Sequence, residues 1–326
     1  DSLKRLWLAE DMEKTTICDN MPLSEWVAGE IPRNNSYSES NQVAIHRGVN
    51  VMLPPQISAA YTLYSKLASG TFGSVFYGEE KLTHRPVVIK IVEASMAKTV
   101  LYNGIKVPKE AALFQKIPSH ANIIPFIEWA AAFPKHWIFV FDYHGYGNDK
   151  PKSTLKHYLT DVAKGREKRG LTENEVKKIM HQLLSACNHL EKHGIYHCDL
   201  KLDNVVVDGE GNIKLIDFGL AVEGEIGFGR TGSIFPPEMY DHYVPYELST
   251  AQIWVLGIVF YQLFEAVKPY HEEQVKSKAL GRVMFSRHNR PSNECVELIE
   301  WMLKVDPNHR PQSVSRVMQH GWFMCA

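Results

Sequence analysis

The chain has 326 residues, 44% of them hydrophobic and 22% charged, with a formal net charge of −1 at pH 7. That length suits one or two domains with ample core, and the near-neutral balance gives no electrostatic footprint for nucleic acid or an anionic membrane. Cys18, Cys187, Cys198, Cys295 and Cys325 form no C-x-x-C pair, which argues against a zinc site or disulfide framework and fits an intracellular setting, cytoplasmic or nuclear. The N-terminus reads as lacking a secretory signal, and a chain starting at Asp1 rather than Met is expected to be trimmed. The longest apolar run, Ile253–Phe264, covers about 12 residues, short of a bilayer span.

In chain order, residues 1–55 join a short amphipathic stretch, Leu3–Met12, to a polar segment over 32–41. They read as an N-terminal extension, partly helical and partly flexible. Asn34-Asn35-Ser36 matches a glycosylation sequon, read as chance in an intracellular chain. From 61 to 92, apolar and polar residues alternate about a glycine-bearing turn, which predicts antiparallel strands. The turn lies within Leu67-Ala68-Ser69-Gly70-Thr71-Phe72-Gly73-Ser74-Val75, where glycines let backbone N–H groups approach phosphate oxygens closely. Val87-Val88-Ile89-Lys90 follows. An amphipathic helix carrying Glu110 is predicted over 107–117, with Pro108 at its start. Trp137–Tyr143 is an apolar strand, and the change of composition after it marks a hinge at 143–152. Helices are predicted over Leu155–Val162, over Glu173–His193 with Thr172 as N-cap and Gly194 beyond its end, and over Thr250–Phe264, Cys295–Lys304 and Ser313–His320. The glycine-rich stretch Ala221–Phe235 is expected to be mobile.

The densest chemistry lies in Ile195–Gly219. Val205–Val207 and Ile213–Ile216 read as short strands joined by a turn at Asp208-Gly209-Glu210-Gly211. The hairpin brings His197-Cys198-Asp199 and Asp217-Phe218-Gly219 to one edge, a layout that suits phosphoryl transfer. Asp199 can orient a hydroxyl and accept its proton, Asp217 with Asn204 can hold Mg²⁺ on nucleotide phosphates, and Lys201 adds positive charge for the moving group.

His197-Cys198-Asp199-Leu200-Lys201 with Asn204, and Asp217-Phe218-Gly219, resemble the catalytic and metal-binding loops of protein kinases, H-R-D-L-x-x-x-N and D-F-G. With Leu67–Val75 as the glycine-rich loop and Val87–Lys90 as V-A-I-K, about residues 57–324 resemble a eukaryotic-type protein kinase. Lys201 favours the Ser/Thr branch. Asn103–Glu110, Ser233–Glu238 and Ala251–Gly257 are similar to stretches of the Pim family, in the calmodulin-kinase-like group. The resemblance implies an α+β, bilobal fold, with a small lobe at 56–142 and a helical lobe at 153–326. It implies ATP and Mg²⁺ as cofactors and protein substrates with Ser or Thr acceptors, for an expected monomer. Lys90 would hold the α- and β-phosphates and pair with Glu110. Leu67, Ala68, Ser69, Gly70, Thr71, Phe72, Gly73, Val75 and Val88 would surround ATP, and backbone groups of Asp142 and His144 would meet its adenine. Asp203 and Thr231 would face the substrate, Thr231 by bonding Asp199 and Lys201. Glu238 would form a buried ion pair with Arg310.

The chain departs from the family pattern in places. Ala68 replaces the first glycine of the loop, Cys198 the Arg of H-R-D, and Gln252 the Asp before x-W. Thr154, His157, Gln262 and Val267 stand where Pim-like acids hold basic substrates, leaving Asp203 and, nearby, Glu265. Two other classes compete: a pseudokinase scaffold, motivated by Ala68, Cys198 and Gln252, and a small-molecule or lipid kinase on the same fold. Lys90, Glu110, Asp199, Lys201, Asn204 and Asp217 are all present and argue for an active enzyme, and Pro236-Pro237-Glu238 for a peptide platform.

Overall fold

The computed structural model describes residues 43–46, 49–69, 73–102, 104–132, 135–145, 154–165, 170–241, 244–287 and 290–324. Most of the expected extension, Gly70–Phe72 of the glycine turn and most of the expected hinge lie outside these residues. The chain forms two compact units, one of Asp1–Pro118 with Pro125–Tyr143, the other of Ser119–Ile124 with His144–Ala326.

The first unit opens with a hairpin, β1 (Val43–His46) and β2 (Val49–Met52), and a short helix, α1 (Pro55–Ala60). An antiparallel sheet follows in the order β3 (Tyr61–Ser69), β4 (Ser74–Glu80), β5 (Pro86–Glu93), β9 (His136–Asp142), β8 (Phe126–Ala132). The hairpin β6 (Thr99–Tyr102) and β7 (Ile105–Pro108) leads into helix α2 (Lys109–Lys116). Strand alternation sends Val87, Ile89 and Ile91 into one apolar core and leaves Val88 and Lys90 on the opposite face. That core also takes Val51, Leu53 and Ile57, so the end of the stretch assigned to the extension packs against the sheet. Helix α2 starts two residues later than the pattern predicts, because Val107 and Pro108 still pair with Val100 and Thr99.

The second unit is mainly helical. After α3 (Leu155–Gly165) comes α4 (Glu173–Lys192), capped by Thr172 and Glu175 in a reciprocal box. Next are β10 (Ile195–Tyr196), the hairpin β11 (Val205–Val207) and β12 (Ile213–Leu215), and the short strands β13 (Val222–Glu223), β14 (Ile226–Gly227) and β15 (Tyr246–Glu247). Helix α5 (Leu248–Glu265) is buried along nearly its whole surface. The helices α6 (Glu272–Lys276), α7 (Asn293–Met302), α8 (Val314–Met318) and α9 (Gly321–Met324) complete the unit. At 18 residues α5 is longer than the apolar run suggested, and by length and composition it could cross a membrane; here 89% of it is buried inside the unit.

The glycine-rich stretch after Phe218 is tied down rather than loose. Strand β13 pairs with β10, β14 pairs with β15, and the Leu248 N–H donates to Glu225 O at 2.8 Å. Composition signalled flexibility; these backbone bonds between segments distant in sequence override it.

Candidate active site

In the first unit the sheet register lines up Ala68, Val75, Lys90 and Phe139 across four adjacent strands. Lys90 Nζ lies 5.8 Å from the Phe139 ring centroid and donates to both oxygens of Glu110, at 3.0 and 2.9 Å. Helix α2 presents Glu110 in its first turn, where a carboxylate also suits the helix dipole. Both side chains are largely buried, Lys90 at 12% and Glu110 at 7% exposure. Gly73 is needed for close approach: a Cβ there would sit 2.3 Å from Ile91 O. At the end of β9 the Asp142 N–H donates to Pro125 O at 3.0 Å, and its carboxylate is held by Arg85 at 3.0 and 2.9 Å.

In the second unit the catalytic hairpin forms as the turn residues predict. Asp208 Oδ1 accepts from the N–H groups of Glu210 and Asn212, folding the turn locally. His144 Nε2 lies 3.0 Å from Asn212 O, beside this turn. His197 is fully buried, edge-on to Phe218 at 4.9 Å. Its Nδ1 accepts the Asp199 N–H at 3.2 Å, so the ring proton sits on Nε2 and donates to Ile216 O at 2.9 Å. Burial holds this imidazole below its ordinary pKa, which keeps it neutral in that role. His197 thus joins the Asp199 segment to the Asp217 segment through its ring.

Cys198 (φ +61°) and Asp217 (φ +64°) both adopt the left-handed conformation, which costs a non-glycine residue ~1–2 kcal/mol. Backbone outliers of this kind cluster at functional sites. Between them the carboxylate of Asp199 is fully engaged. Lys201 Nζ donates to Oδ2 at 2.6 Å, Asn204 Nδ2 to the same oxygen at 2.9 Å and to the backbone oxygen at 2.8 Å, and Ser233 Oγ to Oδ1 at 2.7 Å.

The substrate-side expectations need two corrections. The hydroxyl that meets Asp199 and Lys201 belongs to Ser233, with Lys201 Nζ at 3.1 Å, and not to Thr231. Gly232 decides this. It has φ +87° and passes so close to Cys198 that a Cβ would lie 2.1 Å from the Cys198 oxygen, which turns the following residue toward Asp199. Both hydroxyls were visible in the sequence; the turn between them was not. Glu265 is 7% exposed and accepts from the N–H and Oγ of Ser286 at 3.0 and 3.1 Å, so it is an internal capping group and not a surface anchor. Asp203 is half-buried, and Lys156 Nζ sits on it at 2.9 Å.

Asn204 spends its amide N–H groups on Asp199, which leaves its oxygen as the donor it can offer a cation. The Ile216 N–H bonds Asn204 O at 2.9 Å, so Asn204 and Asp217 are set side by side at the hairpin edge. An amide oxygen and a carboxylate fit a hard divalent cation that takes its other ligands from water and phosphate. Among the described residues no cluster of three His, Cys, Asp or Glu forms a self-sufficient metal site.

Below the site, Arg310 (2% exposed) is bidentate to Glu238, at 2.7 and 2.8 Å. Its remaining donors reach the carbonyls of Lys304, Thr250 and Val305 at 2.7, 3.0 and 3.0 Å.

The first unit holds a strand lysine paired with a helix glutamate, and the second holds a lysine-bonded aspartate with an Asn/Asp oxygen pair; these are the groups of a nucleotide-dependent phosphotransferase. The chain belongs to the protein kinase family: the pattern of the protein kinase domain matches residues 61–323. It is 29% identical over 281 residues to serine/threonine-protein kinase pim-2 of Danio rerio, covering 81% of this chain and 84% of that protein. It is 28% identical over 279 residues to CBL-interacting serine/threonine-protein kinase 12 of Arabidopsis thaliana, covering 82% and 53%. To CBL-interacting protein kinase 25 of Oryza sativa subsp. japonica it is 26% identical over 287 residues, covering 85% and 53%. The chain thus spans about half the length of these plant relatives. Its fold is the α+β fold of a protein kinase domain, a domain type that takes ATP as phosphoryl donor.

Proposed function

We propose that the whole protein is an active, Mg²⁺- and ATP-dependent serine/threonine protein kinase, Pim-like in its finer features. The observation that carries this is the fully bonded Asp199, with Lys201, Asn204 and Ser233 converging on one carboxylate. Asp199 orients the incoming Ser or Thr hydroxyl and takes its proton as the γ-phosphoryl leaves. Lys201 stabilises charge on that group, and Asn204 with Asp217 holds the cation that neutralises the phosphates. Lys90, fixed by Glu110, meets the α- and β-phosphates, the glycine-rich loop covers them, and backbone groups of Asp142 and His144 meet the adenine. The test is labelled ATP with a degenerate peptide library, comparing this chain with Asp217→Asn. Equal transfer by the two proteins would reject the assignment. We also propose an intracellular monomer without nucleic-acid or membrane partners, in line with the net charge of −1; a dimer by sedimentation would correct that.

The upstream arginine preference of Pim-like kinases is expected to be weak. Most of the acids are replaced, and Asp203 is neutralised by Lys156 in an exposed pair, worth roughly 0–1 kcal/mol. Lys156→Ala should raise the preference for upstream Arg, read on a positional peptide array. A strong preference at several upstream positions in the unaltered protein would contradict this.

Activity is expected without loop phosphorylation. Cys198 lacks the charge to hold a phosphate. The loop has its own fastening: the Arg230 guanidinium lies 5.2 Å from the Phe235 ring and 5.5 Å from the Tyr240 ring, with Glu272 at 3.5 Å. Phosphatase-treated protein, verified by mass spectrometry, should keep its rate. A drop beyond ~10-fold, about 1.4 kcal/mol of transition-state stabilisation, would mean that the loop needs phosphate.

A further inference from the structure

Residues 274–293 carry Lys276, Lys278, Arg282, Arg287 and Arg290 and no acidic residue, a local excess that the net charge of −1 hides. Within them, residues 281–286 belong to no helix or strand and are strapped onto α5. Tyr270 Oη donates to Gly281 O at 2.9 Å and Tyr261 Oη to Met284 O at 2.5 Å, while Glu265 accepts from the Ser286 N–H and Oγ at 3.0 and 3.1 Å. Tyr261 and Glu265 are one helical turn apart, about 6 Å. Two extended residues cover about 7 Å, so the strap runs extended along the helix. Its side chains alternate accordingly. Val283 is buried and Phe285 packs on Tyr261 and Phe264, with ring centroids 5.0 and 5.9 Å apart, while Arg282 is exposed and Met284 is 76% exposed. Arg287 and Arg290 are exposed just beyond. Glu265 faces inward, spent on Ser286, and Lys278 is taken by Asp241 at 2.8 Å. Among the described residues no carboxylate pairs with Arg282, Arg287 or Arg290.

We propose that the outer face of this strap, with Arg282, Met284 and Arg287, docks an extended acidic segment of a partner protein that carries an apolar residue among its acids. The argument is complementarity of charge and spacing. Guanidinium groups hold carboxylates through paired N–H donors, and an exposed thioether adapts to different apolar side chains. Arg282 and Met284 point the same way two residues apart, and an extended peptide presents its own side chains at that same interval, about 7 Å. One apolar side chain and a few cations on a single strap lack the amphipathic face of a membrane binder and the wide basic footprint of a nucleic-acid binder.

The test uses the full chain and fluorescein-labelled peptides read by anisotropy, a readout that stands whether or not the proposed kinase activity holds. The probes are Glu-Asp-Leu-Glu-Asp-Glu, the same peptide with Lys for every acid, and the acidic peptide with Gly for Leu. The unaltered protein should bind the acidic probe at least ~10-fold more tightly than the basic one, and less tightly as salt rises from about 0.05 to 0.5 M. Arg282→Glu combined with Arg287→Glu should weaken that binding by at least ~5-fold with Tm unchanged, because both side chains are exposed. Met284→Ser should erase the advantage of the Leu probe over the Gly probe. No saturable binding, equal binding of acidic and basic probes, or an unchanged Kd in the charge-reversed variant overturns the proposal. If that variant does not fold, Arg282→Gln combined with Arg287→Gln takes its place, and an unchanged Kd there is decisive in the same way. Phosphatidylserine vesicles and a single-stranded RNA form separate arms, and tighter binding of either than of the acidic peptide overturns the assignment to a protein partner.

Discussion

Lys90→Met is expected to lower transfer by at least ~10²-fold, the effect of removing one preorganised electrostatic stabiliser, and to destabilise the first unit as well. The structure adds the second half. Glu110 is 7% exposed and accepts from Lys90 Nζ at 2.9 and 3.0 Å. Removing only the cation leaves a carboxylate in a low-dielectric setting, a change that typically costs ~3–5 kcal/mol. Adding Glu110→Gln should therefore restore much of the thermal stability while transfer stays lost. This pair of variants separates folding from chemistry: thermal unfolding reads one, labelled-phosphate transfer the other. Recovery of transfer in the double variant would remove Lys90 from the proposed phosphate contacts.

Arg310→Met is the largest effect expected on stability alone. Every donor of the guanidinium is used, by Glu238 and by three backbone carbonyls from two separate segments. The substitution leaves Glu238 uncompensated and strips the Lys304 and Val305 carbonyls of their guanidinium donor, again ~3–5 kcal/mol, or a fall in Tm on the order of 10 °C for a unit of this size. Adding Glu238→Leu should recover only part, because the carbonyls of Lys304 and Val305 still lack the guanidinium donor. A Tm within a degree or two of the unaltered protein, or full recovery in the double variant, would show that the interaction with the chain segments is not what holds the residue there. Stability of this kind bears on function, because Glu238 lies on the same stretch as Ser233, which bonds Asp199.

Local chemistry in the sequence determined the elements and the catalytic groups. Asp208-Gly209-Glu210-Gly211 makes its own turn, Thr172 and Glu175 cap their helix, and period-two alternation chose which face of β5 carries Lys90. These choices rest on bonds between near neighbours, and a sequence displays neighbours. The pairing of Glu238 with Arg310 was legible only through the family pattern, since the residues are 72 apart. Tertiary structure alone decided three matters. It pinned the glycine-rich stretch after Phe218, because its partners, β10 and β15, lie elsewhere in the chain. It turned Ser233 rather than Thr231 toward Asp199, because only packing against the Cys198 oxygen fixes the Gly232 turn. It also removed Glu265 from the surface and covered Asp203 with Lys156, since exposure and charge pairing belong to three-dimensional neighbours and carry no mark in the local pattern.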